Sequence, residues 1–153
     1  MVVGILLPLA IVSCSKDPFD NSALEKVTYG PIHGEFHWRK KFYETLSVME
    51  AGAELGAIGP YSIHHDFWAD AVEFDPTIGG LPQDCERPWY SHRIINAYFQ
   101  RYCPDEWVSD GKDMKALEVL ARTFNGGPKG RNKATTADYG QRFVNLFKAM
   151  RNE

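Results

Sequence analysis

Residues 89–102, WYSHRIINAYFQRY, carry apolar side chains at helical spacing. The stripe is formed by Ile94, Ile95, Tyr98, Phe99 and Tyr102. Side chains three and four positions apart lie on one face of an α-helix, so the pattern predicts an amphipathic helix. Pro104 follows shortly after it, and proline cannot continue a helix interior. The apolar face of this helix is expected to pack into a core.

The same periodicity recurs in residues 35–52, 112–124 and 136–150. The intervening residues 56–60, 74–88 and 125–130 are rich in glycine and proline, which predicts turns and loops. Residues 61–67 fit either a short strand or a second helix. About four helices joined by Gly-rich loops predict a mainly α domain.

Composition limits the class of protein. The chain has 153 residues, 44% of them hydrophobic and 24% charged, which is typical of one globular domain rather than of a disordered or fibrous chain. The formal net charge is −3, and the pI is near 5.9. This charge argues against a general nucleic-acid binder, which usually presents a basic face.

The pattern of residues 1–14 predicts an export signal. Residues 1–12, MVVGILLPLAIV, are too short to span a bilayer but fit the apolar region of a signal peptide. Residues 11–14, IVSC, resemble a bacterial lipobox with Cys14 as the lipid-bearing residue, and simple cleavage near Ser13 is the alternative. We therefore expect an exported protein, either secreted or anchored to a membrane through Cys14. The predicted organisation is a signal in residues 1–14, a linker in 15–34 and a domain in 35–153.

The cysteines and motifs predict no cofactor. Cys85 and Cys103 bracket a helix that would be roughly 25 Å long, beyond the reach of a disulfide unless Cys85 lies in a loop that folds back. No CxxC, HExxH, P-loop or GxGxxG motif is present. His64 and His65 are adjacent rather than four residues apart, so they are interpreted as surface histidines. We expect neither a metal nor another cofactor.

Glu50 is the first candidate catalytic residue. It ends the predicted helix 35–52, beside Met49 and ahead of a Gly-rich turn. Partial burial disfavours the charged form of a carboxyl group, and a protonated carboxyl can act as a general acid. The alternative is an ordinary solvated glutamate at a helix end.

Three segments, in order, resemble the invertebrate-type (destabilase-type) lysozymes. Residues 49–52, MEAG, are similar to the Glu-Ser-Gly segment that holds the catalytic glutamate of that family. Residues 59–63 and 67–70, GPYSI and FWAD, resemble its Gly-Pro-Phe-Gln-Ile and Tyr-Trp-Ile-Asp segments, and residues 121–130, ARTFNGGPKG, resemble its Asn-Gly-Gly-Pro run. The resemblance covers about residues 38–148. It implies an α+β lysozyme-like fold with a catalytic cleft and Glu50 as the catalytic glutamate.

The chain also departs from that family. Ile58, Ala71 and Arg131 stand where cysteines are expected, so the core must replace the disulfide framework. Ser62 replaces a glutamine, and Phe124 replaces a histidine. The chain between Glu50 and Gly59 is shorter than in the family and lacks the segment that carries the second catalytic carboxylate, an aspartate.

Glycoside hydrolysis usually uses two carboxylates, so a second one is expected beside Glu50. The candidates are Glu54, Asp66 and Asp70, of which Asp66 is preferred because its His-His-Asp-Phe-Trp setting is polar. Without a second carboxylate, two alternatives stay open: an inverting reaction with a loosely held water, and a lytic transglycosylase-like reaction in which Glu50 alone serves as acid and then as base.

Substrate contacts are predicted in the loops and among the aromatic residues. Asn125 offers an amide to an N-acetyl group, and Gly126 and Gly127 allow a close approach of the backbone to a sugar. The full set of predicted substrate-binding residues is Tyr61, Ser62, Trp89, Tyr90, Asn125, Gly126 and Gly127. For the three aromatic residues of this set, the alternative is core packing.

These observations predict a muramidase-like glycoside hydrolase that acts on peptidoglycan or a chitin-like glycan. The alternatives are a lytic transglycosylase-like enzyme, a lysozyme-fold protein that binds glycan without catalysis, and an unrelated exported helical protein. The last alternative predicts that Glu50, Tyr61 and Asn125 share no cleft. No nucleic-acid partner is expected, and the sequence assigns no oligomeric state.

Overall fold

A computed structural model describes residues 36–52 and 56–151. The predicted signal (1–14) and linker (15–34), together with Cys14 and Glu54, lie outside the described residues. All described residues belong to one compact unit. Within this part of the chain, no helix is long and apolar enough to cross a membrane.

The described residues form six α-helices. They are α1 (Phe36–Met49), α2 (His65–Phe74), α3 (Pro88–Tyr102), α4 (Pro104–Trp107), α5 (Met114–Gly126) and α6 (Ala137–Arg151). Short 3-10 helices lie at Pro76–Ile78, Pro82–Glu86, Gly130–Asn132 and Ala134–Thr136. The β-structure of residues 36–52 and 56–151 is a single antiparallel bridge between Ile58 and Ile63. The prediction of a mainly α domain is therefore confirmed.

Two differences from the predicted boundaries concern the turn before α2 and the end of α5. Residues 61–67 are neither a strand nor a helix throughout, because a turn occupies their first half and α2 begins at His65. Residues 125–130 are not wholly a loop, because Asn125 and Gly126 form the last turn of α5. Gly127, with φ of 78°, ends this helix in a conformation that suits glycine.

Helix starts follow local chemistry. α3 and α4 each begin with a proline, which has no N–H to leave unpaired in the first turn. α5 begins after Asp113, whose carboxylate accepts hydrogen bonds from the backbone N–H groups of Lys115 and Ala116. These starts fix where each apolar stripe faces.

An aromatic cluster fills the core. Phe42 of α1 is fully buried and lies 4.9 Å from Phe143 of α6, 5.7 Å from Phe99 of α3 and 5.6 Å from Trp107 of α4, measured between ring centroids. The Trp107 indole N–H donates to Asn96 Oδ1 at 2.8 Å, so its polar atom is paired. Aromatic rings bury large areas and contribute strongly to core stability. The cluster joins α1, α3, α4 and α6.

The two described cysteines are buried and unpaired, an outcome that the sequence left open. Cys85 lies in the 3-10 helix Pro82–Glu86, and Cys103 lies between α3 and α4. Arg131, at a position where the lysozyme resemblance expects a cysteine, donates to Cys103 Sγ at 3.0 Å and to Glu106 Oε1 at 2.7 Å. A polar contact with Cys103 thus ties the segment after α5 to the start of α4.

Candidate functional site

An open pocket of about 360 Å³ lies where four parts of the chain meet. They are the end of α1, the turn before α2, the C-terminal end of α5 and the first half of α6. Its described lining residues are Met49, Glu50, Ala51, Gly52, Ser62, His64, Phe124, Asn125, Tyr139 and Arg142. Three of the predicted site residues, Glu50, Ser62 and Asn125, are therefore brought together.

Glu50 directly follows α1 and is half-buried in this pocket. Its N–H donates to the Leu46 carbonyl at 2.9 Å, which continues the helical pattern and fixes the backbone. The Tyr139 hydroxyl donates to Glu50 Oε1 at 2.5 Å. Burial, and then the charge of Glu50, raise the pKa of Tyr139. The Tyr139 hydroxyl therefore keeps its proton and acts as the donor in this hydrogen bond.

Ser62 occupies a constrained turn beside Glu50. Its φ is 49°, in the left-handed region that residues other than glycine rarely adopt. The turn is closed by the Ser62 N–H on the Gly59 carbonyl at 3.1 Å and by reciprocal backbone bonds between Ile58 and Ile63 at 3.0 Å. The Ser62 hydroxyl donates to the backbone carbonyl of Glu50 at 3.3 Å, which links the turn to the end of α1.

Gly59 allows this turn to pack closely against the backbone of Cys85. A Cβ on Gly59 would overlap the carbonyl oxygen of Cys85, so only glycine permits this approach of the two backbones. The turn is thereby packed against the 3-10 helix that contains Cys85. This packing holds Ser62 in the pocket wall.

Two glycines of residues 125–130, Gly126 and Gly130, are required by close packing. Gly126 and Gly127 are not among the described lining residues of the pocket, so the structure does not bring them together with Glu50 there. A Cβ on Gly126 would lie 2.5 Å from Thr136 Cγ2, and a Cβ on Gly130 would overlap the Arg122 carbonyl. The chain therefore needs glycine to fold back on α5. Asn125, exposed at the end of that helix, does line the pocket.

The predicted aromatic platform is not found in the pocket. Tyr61 and Tyr90 are 5% and 3% exposed, so their rings offer no open face to a sugar. Their hydroxyls are engaged in the interior, Tyr61 with His92 Nε2 at 2.6 Å and Tyr90 with the Gly79 carbonyl at 2.6 Å. Trp89 is half-buried, contacts Tyr90 edge-on and does not line the pocket. For Tyr61 and Tyr90, the alternative of core packing is the observed one.

The preferred second carboxylate also lies elsewhere. Asp66 is fully exposed in the first turn of α2, and its nearest ionic partner is His65 at 3.7 Å. Asp70 lies 3.7 Å from the Arg101 guanidinium. Neither lines the pocket, and Glu50 is the one carboxylate among its described lining residues. No group of three or more metal-binding side chains occurs in the described part of the chain.

Three lining residues were missed by sequence reasoning: His64, Tyr139 and Arg142. Tyr139 and Arg142 are three residues apart on α6, so the helical pattern places them on one face. Arg142 Nε donates to Asp138 Oδ2 at 2.8 Å, and its guanidinium lies 5.9 Å from the Tyr139 ring centroid. Nothing local in the sequence indicates that this face meets Glu50.

No protein-family model, curated protein or solved structure matches the chain. The chemistry of the pocket therefore has to be argued from its own residues. It combines a carboxyl group, a phenol that donates to it, an amide and a guanidinium. Such a set can donate a proton to a bound molecule and can bind polar and anionic groups around it.

Proposed function

We propose that the chain is a muramidase-like glycoside hydrolase that cleaves β-1,4 linkages of peptidoglycan, with Glu50 as general acid. The observation that carries the proposal is the half-buried Glu50 carboxyl in an open polar pocket, hydrogen-bonded by Tyr139 and sharing that pocket with Asn125. The sequence resemblance to invertebrate-type lysozymes supports it, because it selects the same glutamate independently of the pocket.

The geometry suits proton donation to a glycosidic oxygen. When Glu50 gives up its proton, it becomes a carboxylate, and the Tyr139 hydroxyl already donates to one of its oxygens. Hydrogen bonds to charged acceptors are stronger than neutral ones, so Tyr139 stabilises the state that follows proton transfer. Asn125 supplies an amide that can both donate to and accept from an N-acetyl group.

A lytic transglycosylase is the second candidate, and one observation favours it. Glu50 is the one carboxylate among the described residues that line the pocket, and Glu54 lies outside the described residues. With a single carboxylate, Glu50 first protonates the leaving oxygen and then accepts a proton from a hydroxyl of the sugar, which attacks its own anomeric carbon. The product is an anhydro sugar, lighter than the hydrolysis product by one water.

The test is the release of soluble fragments from purified peptidoglycan, followed by mass analysis of the fragments. We expect release by the wild type and a loss of at least about 100-fold in Glu50→Gln, because positioned acid catalysis contributes about 10²–10⁴-fold. Glu86→Gln is the matched control, since Glu86 is exposed and lies outside the pocket. Full activity in Glu50→Gln would overturn the proposal. Binding to peptidoglycan without any release would instead indicate the non-catalytic glycan-binding alternative.

We also propose that the protein is exported, secreted or anchored through Cys14. Peptidoglycan lies outside the cytoplasm, so an enzyme that cleaves it has to be exported. Mass analysis of the mature protein from its host would show the cleavage site and any lipid on Cys14. A protein that still carries residues 1–14 would contradict the proposal.

A further inference from the structure

The described wall of the pocket contains one arginine, Arg142, and one histidine, His64. The Arg142 side chain is 64% exposed and projects from α6, one turn after Tyr139. Asp138 holds Nε at 2.8 Å, and the guanidinium lies beside the Tyr139 ring. Tyr139 thus contacts Glu50 through its hydroxyl and lies beside Arg142 through its ring.

The outer edge of this guanidinium is available to a ligand. Within the described residues, the Nη1 and Nη2 groups of Arg142 have no hydrogen-bond partner, while Nε is occupied by Asp138. A guanidinium presents its N–H groups in a planar fork that matches the two oxygens of a carboxylate. The bond from Nε to Asp138 therefore leaves both Nη groups open to a ligand.

On the basis of the proposed function, we infer that Arg142 binds a carboxylate of the glycan next to the bond that Glu50 cleaves. The substrate class is then an anionic glycan strand rather than a neutral one such as chitin. Arg142 is a specificity-determining residue in this inference.

Peptidoglycan offers this carboxylate from two sources. The lactyl group of muramic acid ends in a carboxyl group, which is free where the stem peptide has been removed and is an amide where the peptide is attached. The stem peptide carries carboxylates of its own. Chitin oligosaccharides have neither, so they form a neutral reference with the same β-1,4 linkage.

Four substrates distinguish these cases: peptide-free glycan strands, the same strands with the lactyl carboxyl converted to a methylamide, intact peptidoglycan and chitin oligosaccharides. The variants are Arg142→Gln and, as a matched control, Lys148→Gln, which removes a charge from an exposed part of α6 outside the pocket. If the lactyl carboxylate is recognised, Arg142→Gln lowers kcat/KM on the free strands by about tenfold or more, as expected for a lost hydrogen bond to a charged group. On the methylamide strands, the kcat/KM of Arg142→Gln equals that of the wild type. If the stem peptide is recognised, the loss appears on intact peptidoglycan instead.

Two results overturn the inference. One is an equal loss on every substrate that is cleaved, chitin included, which would assign Arg142 a structural role. The other is no loss on either carboxylate-bearing substrate, which leaves the proposed hydrolase intact but removes Arg142 from recognition.

Binding separates this inference from the proposed function. If the wild type cleaves none of the substrates, the proposed function fails, and calorimetric titration with the free strands, the methylamide strands and soluble peptide-bearing glycan fragments decides the inference. Weaker binding of Arg142→Gln to the free strands alone, or to the peptide-bearing fragments alone, would support carboxylate recognition. Equal binding of both proteins to the free strands, to the methylamide strands and to soluble peptide-bearing glycan fragments, or no binding by either protein to any of these, would overturn it.

Discussion

His92 of α3 makes the stability of the fold depend on pH. Its ring stacks on Tyr43 with 3.9 Å between centroids, and its Nε2 lies 2.6 Å from the Tyr61 hydroxyl. Burial lowers the pKa of His92 from 6.5 to about 4. The unfolded chain therefore takes up a proton near pH 6.5, while the folded protein resists it. The stabilising contribution of neutral His92 is complete above pH 6.5 and is lost as the pH falls to about 4.

The size of this loss of stability follows from the shift in the pKa of His92. Each pKa unit corresponds to about 1.4 kcal/mol, so the contribution lost between about pH 7 and pH 4 is about 3 kcal/mol. This is a large fraction of the stability of a small domain, which is commonly about 5–15 kcal/mol. Other groups also titrate in this range, so the effect must be measured as a difference between two proteins.

The assay is urea unfolding at about pH 7, pH 5 and pH 4, with the wild type beside His92→Gln. Glutamine keeps a polar group near the Tyr61 hydroxyl but does not titrate. We expect the wild type to lose about 2 kcal/mol more than the variant by pH 5 and about 3 kcal/mol more by pH 4. Equal losses in the two proteins would refute the reasoning, because they would mean that His92 takes up its proton as readily in the fold as in the unfolded chain.

Three further predictions concern the pocket and the segment that follows α5. Tyr139→Phe keeps the ring but removes the hydroxyl that donates to Glu50 Oε1. We therefore expect kcat on peptidoglycan to fall by about tenfold or more while the protein still folds. An unchanged kcat would argue against the role of Tyr139. Gly130→Ala places a Cβ on the Arg122 carbonyl and is expected to lower the free energy of unfolding by up to about 3 kcal/mol. A Cβ on Gly127 would meet no atom, but the backbone there has φ of 78° and ψ of −170°, a region nearly restricted to glycine. We therefore expect Gly127→Ala to lower the free energy of unfolding by about 1–3 kcal/mol through backbone strain alone, and an unchanged free energy of unfolding in urea for either glycine variant would contradict this account.

The longer helices could be predicted because their information is local. An apolar residue at every third or fourth position marks α3, α5 and α6 without knowledge of what they pack against. α4 could not be predicted in this way, because it spans only Pro104–Trp107 and has no room for a periodic pattern. Its Trp107 nevertheless contacts Phe42 in the core, which only the tertiary fold makes visible.

The candidate site was predictable only in part for the same reason. Glu50 could be identified from its place at a helix end, but its partner Tyr139 lies 89 residues later in the chain. The sequence also could not separate buried from exposed tyrosines, since both suit an amphipathic face. Tyr61 and Tyr90 are core residues because neighbours distant in sequence cover their rings and pair with their hydroxyls.

The pocket is assembled from the ends of α1 and α5, the turn at Ser62 and the face of α6, so it exists only when these parts are folded together. Any molecule that occupies it binds the native state and not the unfolded chain. By mass action, a ligand at about 100 times its Kd then adds about 2.7 kcal/mol to the free energy of unfolding of the whole unit. Thermal denaturation in the presence of different glycans therefore ranks them by affinity, even in a Glu50→Gln protein that turns none of them over.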